Sequence, residues 1–565
     1  MALCLRFGVV VWLLLIFTSA DATDFDKVKQ WLGVGYDLVK ANPAYGNDAS
    51  QASDPGFHPT RRILHLSNPV ASDSASPEVE WVPRATCSNG TVEKTIFSGK
   101  SYQQKLLEYV HIDSQSDADI LSVAFVESDQ YKRVVRDTDE AASKLIHEID
   151  TQCTMGTVRY KTELLATTLI DTAFAHAVCA LPTTYASGPY LDFIKNWGTH
   201  AAVGFNYGYA EVQQKEGSRR DFIAALIHAD SSQVQNTGPV NNYTESFTVK
   251  TEIIASYNVQ HLQFGEPYQT LKRGDSQNPE PIDVTLLPIS EVLTKVHWET
   301  SGLPSDCPAN LATLLPQYAA NLKTATTEYA KTFVAPSAEP ATFVTPLSWP
   351  ASQFGLFKPL LGCSSDGVSK FESGVREFST ETTFNNNKWS APLHLAGEFN
   401  KNKMTNEFCV KAAKTNAYDW PKGSYCIHRY SGACPTGFTE GWVKWDDEDG
   451  SDNHNNFAGT VPDGDYTHDT RMLFCCRMDG PSTFKILLPN RSPFFLLRFG
   501  GKCQEVYGMD IIEEWEEFDT EDTFHDNADD HHAPYPDDGS LNNIKFILCY
   551  YQPSSNMPTP SSVVG

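Results

Sequence analysis

The residues best suited to chemistry in this sequence are its cysteines. The chain has 13 of them, and Cys4 lies in an N-terminal apolar stretch, which leaves 12 for the rest of the chain. An even set of cysteines in a secretory context is typical of disulfide pairing. Zinc is disfavoured because the sequence contains no CxxC pair and no HExxH motif. We therefore predict disulfide bonds at Cys87, Cys153, Cys179, Cys307, Cys363, Cys409, Cys426, Cys434, Cys475, Cys476, Cys503 and Cys549.

The N-terminus predicts export of the protein. Arg6 precedes an apolar run from Phe7 to Phe17, and Ala20-Asp21-Ala22 follows as a cleavage site, so residues 1–22 are predicted as a signal peptide. The apolar run is shorter than the roughly 18 residues that a membrane anchor needs. We expect the mature chain to be secreted and extracellular.

Charge and motifs exclude several classes of function. Lys and Arg total 44 against 70 Asp and Glu, a net charge of -26, so no basic surface is expected to bind nucleic acid. The sequence has no Gly-x-Ser-x-Gly, HExxH or phosphate-loop motif. We predict a protein that is not an enzyme, that needs no cofactor and that has no dedicated metal site.

An aromatic-acidic motif between two cysteines repeats three times in the last third of the chain. The glutamate precedes the second cysteine by 28, 27 and 28 residues, and the first cysteines lie 71 and 69 residues apart. Such a period predicts three copies of one structural unit. The sets are Cys363, Phe378, Glu381 and Cys409; Cys434, Trp445, Glu448 and Cys475; and Cys503, Phe518, Glu521 and Cys549.

The repeat predicts an all-β module of pseudo-threefold shape, in which each copy is closed by its own disulfide. The expected bridges are Cys363–Cys409, Cys434–Cys475 and Cys503–Cys549, with Cys426–Cys476 inside the middle copy. The crossed arrangement, Cys426–Cys475 with Cys434–Cys476, stays open. Cys87, Cys153, Cys179 and Cys307 are expected to pair among themselves.

Two features of this module have alternative interpretations. The aromatic residues and glutamates of the motif could form three equivalent ligand contacts, but we favour core rings beside turn-stabilising acids. The segment between Lys502 and Lys545 contains 14 acids, with His525, His531 and His532 among them. A divalent-cation site is one interpretation of it, and a solvated acidic loop is the one we favour.

Prolines at 336–352 predict a stiff linker between residues 23–335 and residues 353–552, with a flexible tail at 553–565. Hydrophobic patterns predict an α+β first domain. Its predicted strands are 120–126, 157–165, 201–212 and about 247–254, and its predicted helices are 137–149, 167–179 and 219–229.

Tyr190, six residues and then Trp197-Gly198-Thr199-His200 resemble the signature of the membrane attack complex/perforin (MACPF) family. Flanking segments at 32–39, 54–57 and 278–290 are similar to landmarks of the same family. The segments 420–426, 434–438, 473–476 and 503–509 resemble the apextrin C-terminal (ApeC) domain. A MACPF domain followed by an ApeC domain is the arrangement of apextrin-like proteins.

The resemblance implies a bent antiparallel sheet with two helical clusters, near 128–154 and 216–246, that unfurl into membrane-crossing hairpins when monomers assemble into a ring. It also implies that the signature and two nearby glycines brace the bend of the sheet, with His200 structural rather than catalytic. These residues are Tyr190, Trp197, Gly198, Thr199, His200, Gly204 and Gly208. Sequons predict glycans at Asn89, Asn242 and Asn490.

The function implied is that of a secreted innate-immune effector. Its C-terminal module would bind a target membrane lipid or a microbial cell-wall glycan, with peptidoglycan suggested by the resemblance, and its first domain would form a homo-oligomeric ring and a transmembrane β-barrel pore. The alternative is a non-lytic matrix or adhesion protein, or a bacterial-agglutinating opsonin. The sequon at Asn242 and the apolar run 222–227, which does not alternate as a membrane strand should, favour that alternative. The acids and 16 histidines also permit activation by falling pH, as a hypothesis.

Overall fold

The computed structural model divides the chain into two compact units. The first contains residues 1–139, 144–216 and 264–339, and the second contains 140–143, 217–263 and 340–565. The residues that the structure describes are 25–44, 57, 59–66, 78–112, 118–139, 144–161, 170–241, 244–256, 267–296, 298, 305, 307–380, 386–401, 403–447, 454–466, 468–520, 527–536 and 543–555, without the side chains of 85–87, 236–241, 244, 245 and 256. The predicted signal peptide 1–22 lies outside this range, as do Glu381, Glu448, Glu521 and Asn242.

The helices and strands follow one another in this order. The helices are α1 (Gly99–Leu107), α2 (Ala118–Ser122), α3 (Asp129–Thr138), α4 (Thr172–Cys179), α5 (Ser187–Trp197), α6 (Arg219–Asp230), α7 (Thr251–Ser256), α8 (Ile289–Lys295) and α9 (Leu311–Ala330). The first strands are β1 (Val34–Tyr36), β2 (Pro59–Arg62), β3 (Val79–Ile96), β4 (Val110–Ile112), β5 (Lys144–Tyr160), β6 (His200–Ser218), β7 (Val234–Asn241), β8 (Thr244–Lys250), β9 (Gln269–Arg273), β10 (Glu280–Pro281), β11 (Val284–Pro288) and β12 (Thr342–Pro346). The last strands are β13 (Phe354–Phe357), β14 (Glu372–Phe378), β15 (Lys388–Trp389), β16 (Phe399–Asn400), β17 (Lys403–Lys411), β18 (Ser424–His428), β19 (Thr439–Trp445), β20 (Asn456–Gly459), β21 (Gly464–Tyr466), β22 (Thr470–Met478), β23 (Phe494–Arg498), β24 (Met509–Phe518), β25 (Ala528–Asp529) and β26 (Ile544–Pro553).

A nine-stranded sheet forms the framework of the first unit. Its main order is β2-β1-β6-β11-β4, with β5 joining β6 to β3 and with β9 and β10 also paired to β6. Strand β6 is antiparallel to β1, β9, β10 and β11, and the pairs β1–β2 and β3–β5 are also antiparallel, whereas β4 and β11 are parallel. The long strands β3, β5 and β6 have 18, 17 and 19 residues. This sheet packs with helices on one continuous apolar core, which confirms the predicted α+β class.

Several local predictions for the first unit were wrong. Residues 120–126 were predicted as a strand, but α2 and a buried turn lie there, because a short apolar run does not distinguish a strand from a buried helical segment. Residues 137–149 were predicted as a helix, but α3 ends at Thr138 and β5 begins at Lys144. The first helical cluster therefore does not extend to residue 154. The strand at 201–212 and the helix at 219–229 are confirmed by β6 and α6.

A three-stranded sheet, in the order β12-β8-β7, belongs to the second unit. Strand β12 comes from the stretch predicted as a linker, and β7 and β8 come from the second predicted helical cluster. Among the described residues of this cluster, only α6 is a substantial helix; they also include strand β7 and the start of β8, and the short helix α7 follows beyond the predicted end of the cluster. Strand β12 can end at Pro346 because proline is tolerated at the end of an edge strand.

The C-terminal module is a fourteen-stranded sheet in which a strand of each repeat pairs with a strand of another repeat. Strand β20 of the second repeat pairs with β14 of the first, β25 of the third pairs with β19 of the second, and β15 of the first pairs with β24 of the third. These three pairings connect the first repeat to the second, the second to the third and the third to the first, so the repeats are arranged around a common axis. The predicted all-β pseudo-threefold module is confirmed.

The disulfides of the module match the predicted pairing. Bridges join Cys363 to Cys409, Cys434 to Cys475 and Cys503 to Cys549, one in each repeat. The additional bridge of the middle repeat is Cys426–Cys476, so the crossed arrangement does not occur. In the first unit Cys179 pairs with Cys307, and Cys153 is also disulfide-bonded. Among the described helices, none is both long and apolar enough to cross a membrane.

Candidate functional site

The signature residues lie where α5 ends and β6 begins. Trp197 is the last residue of α5, and Gly198 follows it in the left-handed region at φ +88°. A side chain on Gly198 would come within 2.7 Å of the Tyr36 backbone, so only glycine fits both the backbone angle and this approach. The helix therefore turns directly into the longest strand of the sheet.

Thr199 connects this turn to strand β1. Its backbone N–H and its hydroxyl lie 3.0 and 3.1 Å from the Tyr36 carbonyl oxygen, and its Oγ1 accepts from the Leu38 N–H at 3.2 Å. The same Oγ1 lies 2.8 Å from Nδ1 of His200, whose side chain is fully buried. With its ring shielded from solvent and held by Thr199, His200 fits the structural role that was predicted for it.

Tyr190 anchors the other end of α5. Its ring is fully buried, its hydroxyl donates to the Pro182 carbonyl oxygen at 2.7 Å, and it accepts from the Asn321 side-chain amide at 2.8 Å. Asn321 belongs to α9, the 20-residue helix. The signature thus joins two helices to the start of β6.

Gly204 and Gly208 allow β5 to approach β6 closely. A Cβ on Gly204 would lie 2.8 Å from the Cβ of Arg159, and a Cβ on Gly208 would overlap the carbonyl oxygen of Cys153. On the facing strand, the Tyr207 hydroxyl occupies the space where Gly156 lacks a side chain. The predicted role of the two glycines in close backbone packing agrees with this geometry.

A buried network of charged and polar side chains lies between the helices and the long strands of the first unit. Lys105 of α1 forms an ion pair with Glu148 of β5, and Glu148 also accepts from the Gln214 amide of β6. Asp150 of β5 accepts from the Tyr109 hydroxyl. These side chains and Arg273 are at most 7% exposed. Sequence reasoning missed the network. The signal available was the pair of acids at alternate positions of β5, Glu148 and Asp150, which share one face of the strand.

Burial and charge act in opposite directions on Lys105. Burial lowers the pKa of this ammonium, but attraction to Glu148, Tyr109 and Asp150 outweighs burial, so the pKa is raised overall. The Arg273 guanidinium lies 4.8 Å from the Tyr109 ring and donates to the carbonyl oxygens of Pro43 and Ile282. Any movement of α1 away from β5 must break this network.

In the C-terminal module, the three repeated aromatic rings meet at the centre. Phe378, Trp445 and Phe518 are fully buried, and their ring centroids are 4.9 to 5.6 Å apart. These rings contact one another and leave no surface for a ligand. The ligand-contact interpretation is therefore wrong for the rings, and the core interpretation is the one that fits.

A ring of three asparagines fastens the repeats together next to these aromatic residues. The side-chain oxygens of Asn387, Asn455 and Asn527 each accept from a backbone N–H of another repeat at 2.8 to 2.9 Å. Their amides each donate, at 2.6 to 2.8 Å, to a residue two positions after the aromatic residue of their own repeat. The asparagines follow their aromatic residues by 9, 10 and 9 positions, a register that is present in the sequence but that the aromatic-acidic motif alone does not reveal.

Comparison with known families agrees with this architecture. The MAC/Perforin domain model matches residues 25–339, more than half of the chain. The chain belongs to the MACPF family. A second model, for the C-terminal domain of apextrin (ApeC), matches residues 349–551, so the MACPF domain is followed by an ApeC domain, as in apextrin-like proteins.

Solved structures similar to this MACPF chain share little sequence with it. A protein with a MAC/Perforin domain from Bacteroides thetaiotaomicron is 9% identical, with a TM-score of 0.31, 58% of this chain covered and 63% of that chain spanned. GNIP1Aa from Chromobacterium piscinae is 9% identical, with a TM-score of 0.30 and coverages of 80% and 82%. Astrotactin-2, a vertebrate perforin-like membrane protein, is 10% identical, with a TM-score of 0.23 and coverages of 88% and 71%. No curated protein matches the chain.

The predicted glycan acceptors of the MACPF chain lie in different environments. Asn89 is exposed on β3, and its glycosylation stays a prediction. Asn490 is 1% exposed, and its amide lies 3.4 Å from the Tyr507 carbonyl oxygen. Because a buried amide cannot carry a glycan, the prediction for Asn490 was wrong. Asn242 lies outside the described residues.

The acidic segment of the ApeC domain is described in part. His531 Nδ1 lies 2.6 Å from Asp529 Oδ1, whereas His525 and Asp526 lie outside the described residues. Within the part of the chain that the structure describes, no cluster of three or more His, Cys, Asp or Glu side chains could hold a metal ion. The cation interpretation therefore gains no support from the described residues.

Burial shifts the titration of three side chains inside the ApeC domain. It raises the pKa of Glu516 to about 8 and that of Asp447 to about 7, although hydrogen bonds from Asn406 to Glu516 and from Thr470 to Asp447 oppose the rise. Burial also lowers the pKa of His428 to about 3. At neutral pH the His428 ring is therefore uncharged within its aromatic surroundings.

Proposed function

We propose that this MACPF protein is a secreted effector that binds a microbial or target-cell surface through its ApeC domain, assembles into a homo-oligomeric ring and perforates the membrane with a β-barrel. The observation that carries the proposal is the order of the two families along one chain, a MACPF domain and then an ApeC domain, which together span most of residues 25–551. The activity is non-enzymatic and uses no nucleic acid. The ligand is a membrane lipid or a cell-wall glycan.

The contacts of the long strands and of helix α1 in the first unit support a domain that can open by separation of α1 from β5. The long strands β5 and β6 pass each other at glycine positions, and helix α1 is attached to β5 through a polar network rather than through apolar packing alone. Polar contacts lose less on exposure to water than apolar contacts of the same area do, because water replaces their partners. Helix α1 therefore gives up fewer apolar contacts when it leaves β5 than a helix held by apolar packing alone.

The five bridges in the described residues support a site of action outside the cell, since disulfides persist in oxidising compartments. A bridge within each repeat keeps the ApeC domain folded while it is bound to a surface. The predicted signal peptide at residues 1–22 agrees with this location.

A non-lytic adhesion or agglutinating protein is the second candidate. The observation that favours it is the placement of the second membrane-crossing cluster, which the resemblance puts near 216–246: residues 217–263 belong to the second unit, together with the ApeC domain. A segment that stayed there could not enter a bilayer. The protein would then bind surfaces without perforating them.

Dye release separates the two candidates. The purified mature protein is mixed with vesicles of bacterial lipid and of phosphatidylcholine, at pH 7.5 and pH 5, and the same samples are imaged by negative stain. Rings together with release support the perforating function. Co-sedimentation with vesicles or with peptidoglycan, without rings or release at either pH, overturns it in favour of the adhesion protein.

A further inference from the structure

The chain crosses from the MACPF sheet into the second unit and back again. It leaves the first unit after Glu216, at the end of β6, and re-enters it at Phe264, shortly before β9. The residues in between form α6, the hairpin β7–β8 and α7. This excursion, residues 217–256, lies in the middle of the family match for the MACPF domain yet packs with the ApeC domain.

Strand pairing is the first contact that holds the excursion. Strand β8 pairs with β12 along five residue pairs, from Ser246–Pro346 to Lys250–Thr342. Strand β12 leads directly into the ApeC domain. On the buried side, the Phe247 ring packs against the Tyr507 ring of the third repeat at 5.2 Å.

A buried arginine is the second contact. Arg220 of α6 is fully buried, and it donates to the carbonyl oxygens of Ser348 at 3.0 Å and Leu487 at 3.5 Å. Its guanidinium also lies 4.5 Å from the centroid of the Tyr418 ring. One side chain of the excursion therefore bridges three separate segments of the C-terminal unit.

The neighbouring residues of α6 continue the contact. The Arg219 guanidinium lies 4.7 Å from the Phe343 ring of β12, and the His228 ring lies 5.5 Å from the Phe484 ring. Desolvation raises the pKa of Asp221 to about 6, although the nearby charges of Arg477 and Lys422 oppose the rise. The face of α6 that meets the ApeC domain thus carries two arginines and an aspartate.

This composition is unlike that of a permanent core. Interfaces between elements that separate are more polar than obligate ones. A guanidinium that binds backbone carbonyls can exchange them for water, so detachment leaves no buried charge unpaired, provided that the helix leaves as a whole. The apolar residues Phe222, Ile223 and Leu226 on the same helix then need a new apolar environment, which a bilayer supplies.

We propose that the ApeC domain acts as a clasp on residues 217–256, holding α6 and β8 in the closed state until surface binding releases them for membrane insertion. The proposal rests on the proposed perforating function and adds the step that regulates it. Binding through the ApeC domain and release of the excursion are then coupled, because the same domain makes both contacts. The excursion cannot insert while β8 remains paired with β12.

A reversible cross-link tests the clasp. Thr248 and Val344 are cross-strand partners on β8 and β12, and Val344 is 50% exposed, so Thr248→Cys with Val344→Cys places a disulfide on the outer face of this sheet. The matched control is Val375→Cys with Ala458→Cys, a cross-strand pair of β14 and β20 that lies wholly within the ApeC domain. Both variants are studied oxidised and after mild reduction.

We expect the oxidised clasp variant to bind vesicles as the unmodified protein does but to release dye at least about tenfold more slowly, because the cross-link removes the detached state from the equilibrium. Reduction should restore release, and the control pair should release dye in both redox states. Equal release from the oxidised and reduced clasp variants would overturn the clasp while leaving the perforating function intact. Absence of release from the unmodified protein would instead overturn the perforating function.

Hydrogen exchange gives a second readout that does not depend on leakage. On binding to bacterial-lipid vesicles, amides of 219–230 and 244–250 should exchange at least about tenfold faster or become newly protected by lipid, whereas those of β17, β22 and β26 stay unchanged. Arg220→Gln should raise exchange in α6 before any binding, and Arg471→Gln, whose guanidinium stacks on Trp442 within the ApeC domain, should not. Unchanged exchange of α6 in bound, leaking samples would contradict the proposal.

Discussion

Replacing Lys105 by methionine should destabilise the MACPF unit more than any surface charge replacement of the same kind. Lys105 is 4% exposed and its partner Glu148 is 1% exposed. Methionine preserves most of the side-chain volume but leaves the Glu148 carboxylate buried with the Gln214 amide as its remaining partner. Breaking a buried pair on one side in this way costs about 3–5 kcal/mol in the free energy of unfolding.

The double variant Lys105→Met with Glu148→Gln shows whether charge is the cause. Glutamine can still accept from the Gln214 amide, and no unpaired charge is left, so the double variant should lie within about 1–2 kcal/mol of the unmodified protein. The matched surface control is Lys94→Met. Lys94 and Glu108 form an ion pair at 36% and 53% side-chain exposure, and its loss should cost less than about 1 kcal/mol.

Native-state hydrogen exchange of peptides from β5 measures the effect, because a single denaturation curve would combine the two units. Exchange through unfolding of the first unit should accelerate by a factor that corresponds to about 3–5 kcal/mol in the single variant. A single variant within about 1 kcal/mol of the unmodified protein, or a double variant as unstable as the single one, would refute the argument that an unpaired buried charge is the cause.

Three further predictions concern other parts of the chain. Gly208→Ala should destabilise the first unit by at least about 2 kcal/mol because the new methyl group overlaps the β5 backbone, whereas Gly188→Ala, with nothing within 4 Å, should be close to neutral in thermal unfolding. Asn455→Ala should cost the second unit about 2–4 kcal/mol in hydrogen exchange of β14, since it removes bonds to the Ser379 N–H and to Asp447. Glu516 has a pKa of about 8 when folded and about 4.3 when unfolded, so stability of the second unit should fall as pH rises from about 5 to 8. Glu516→Gln should flatten this dependence and be the more stable form at pH 9, as measured by chemical denaturation across that pH range.

The sequence determined the features that depend on local order or on repetition. The aromatic-acidic motif and its cysteines recur at a nearly constant period, and this period predicted the three-repeat module and one bridge in each repeat. Only the structure excluded the crossed pairing in the middle repeat. In the first domain, the family signature marked Trp197, Gly198, Thr199 and His200 as residues expected to brace the bend of the sheet, but helix α5, which ends at Trp197, was not predicted. The helical pattern of 219–229 predicted α6 to within a residue at each end, whereas the strand pattern of 201–212 predicted the start of β6 but ended six residues before Ser218.

The tertiary structure alone decided which residues separated in sequence became neighbours. The sequence does not distinguish Lys105 and Glu148 from ordinary surface charges. Packing of α1 on β5 buries both of them, so removal of either one leaves the other as an unpaired buried charge. Asn387, Asn455 and Asn527 differ from other turn asparagines only because the repeats exchange strands around an axis. The same holds for residues 217–256: their sequence predicted a helix and a strand, but contacts of Arg220 with Ser348, Tyr418 and Leu487, more than 120 residues away, place them in the unit that contains the ApeC domain. Local patterns determine which elements form, and long-range packing determines what those elements contact.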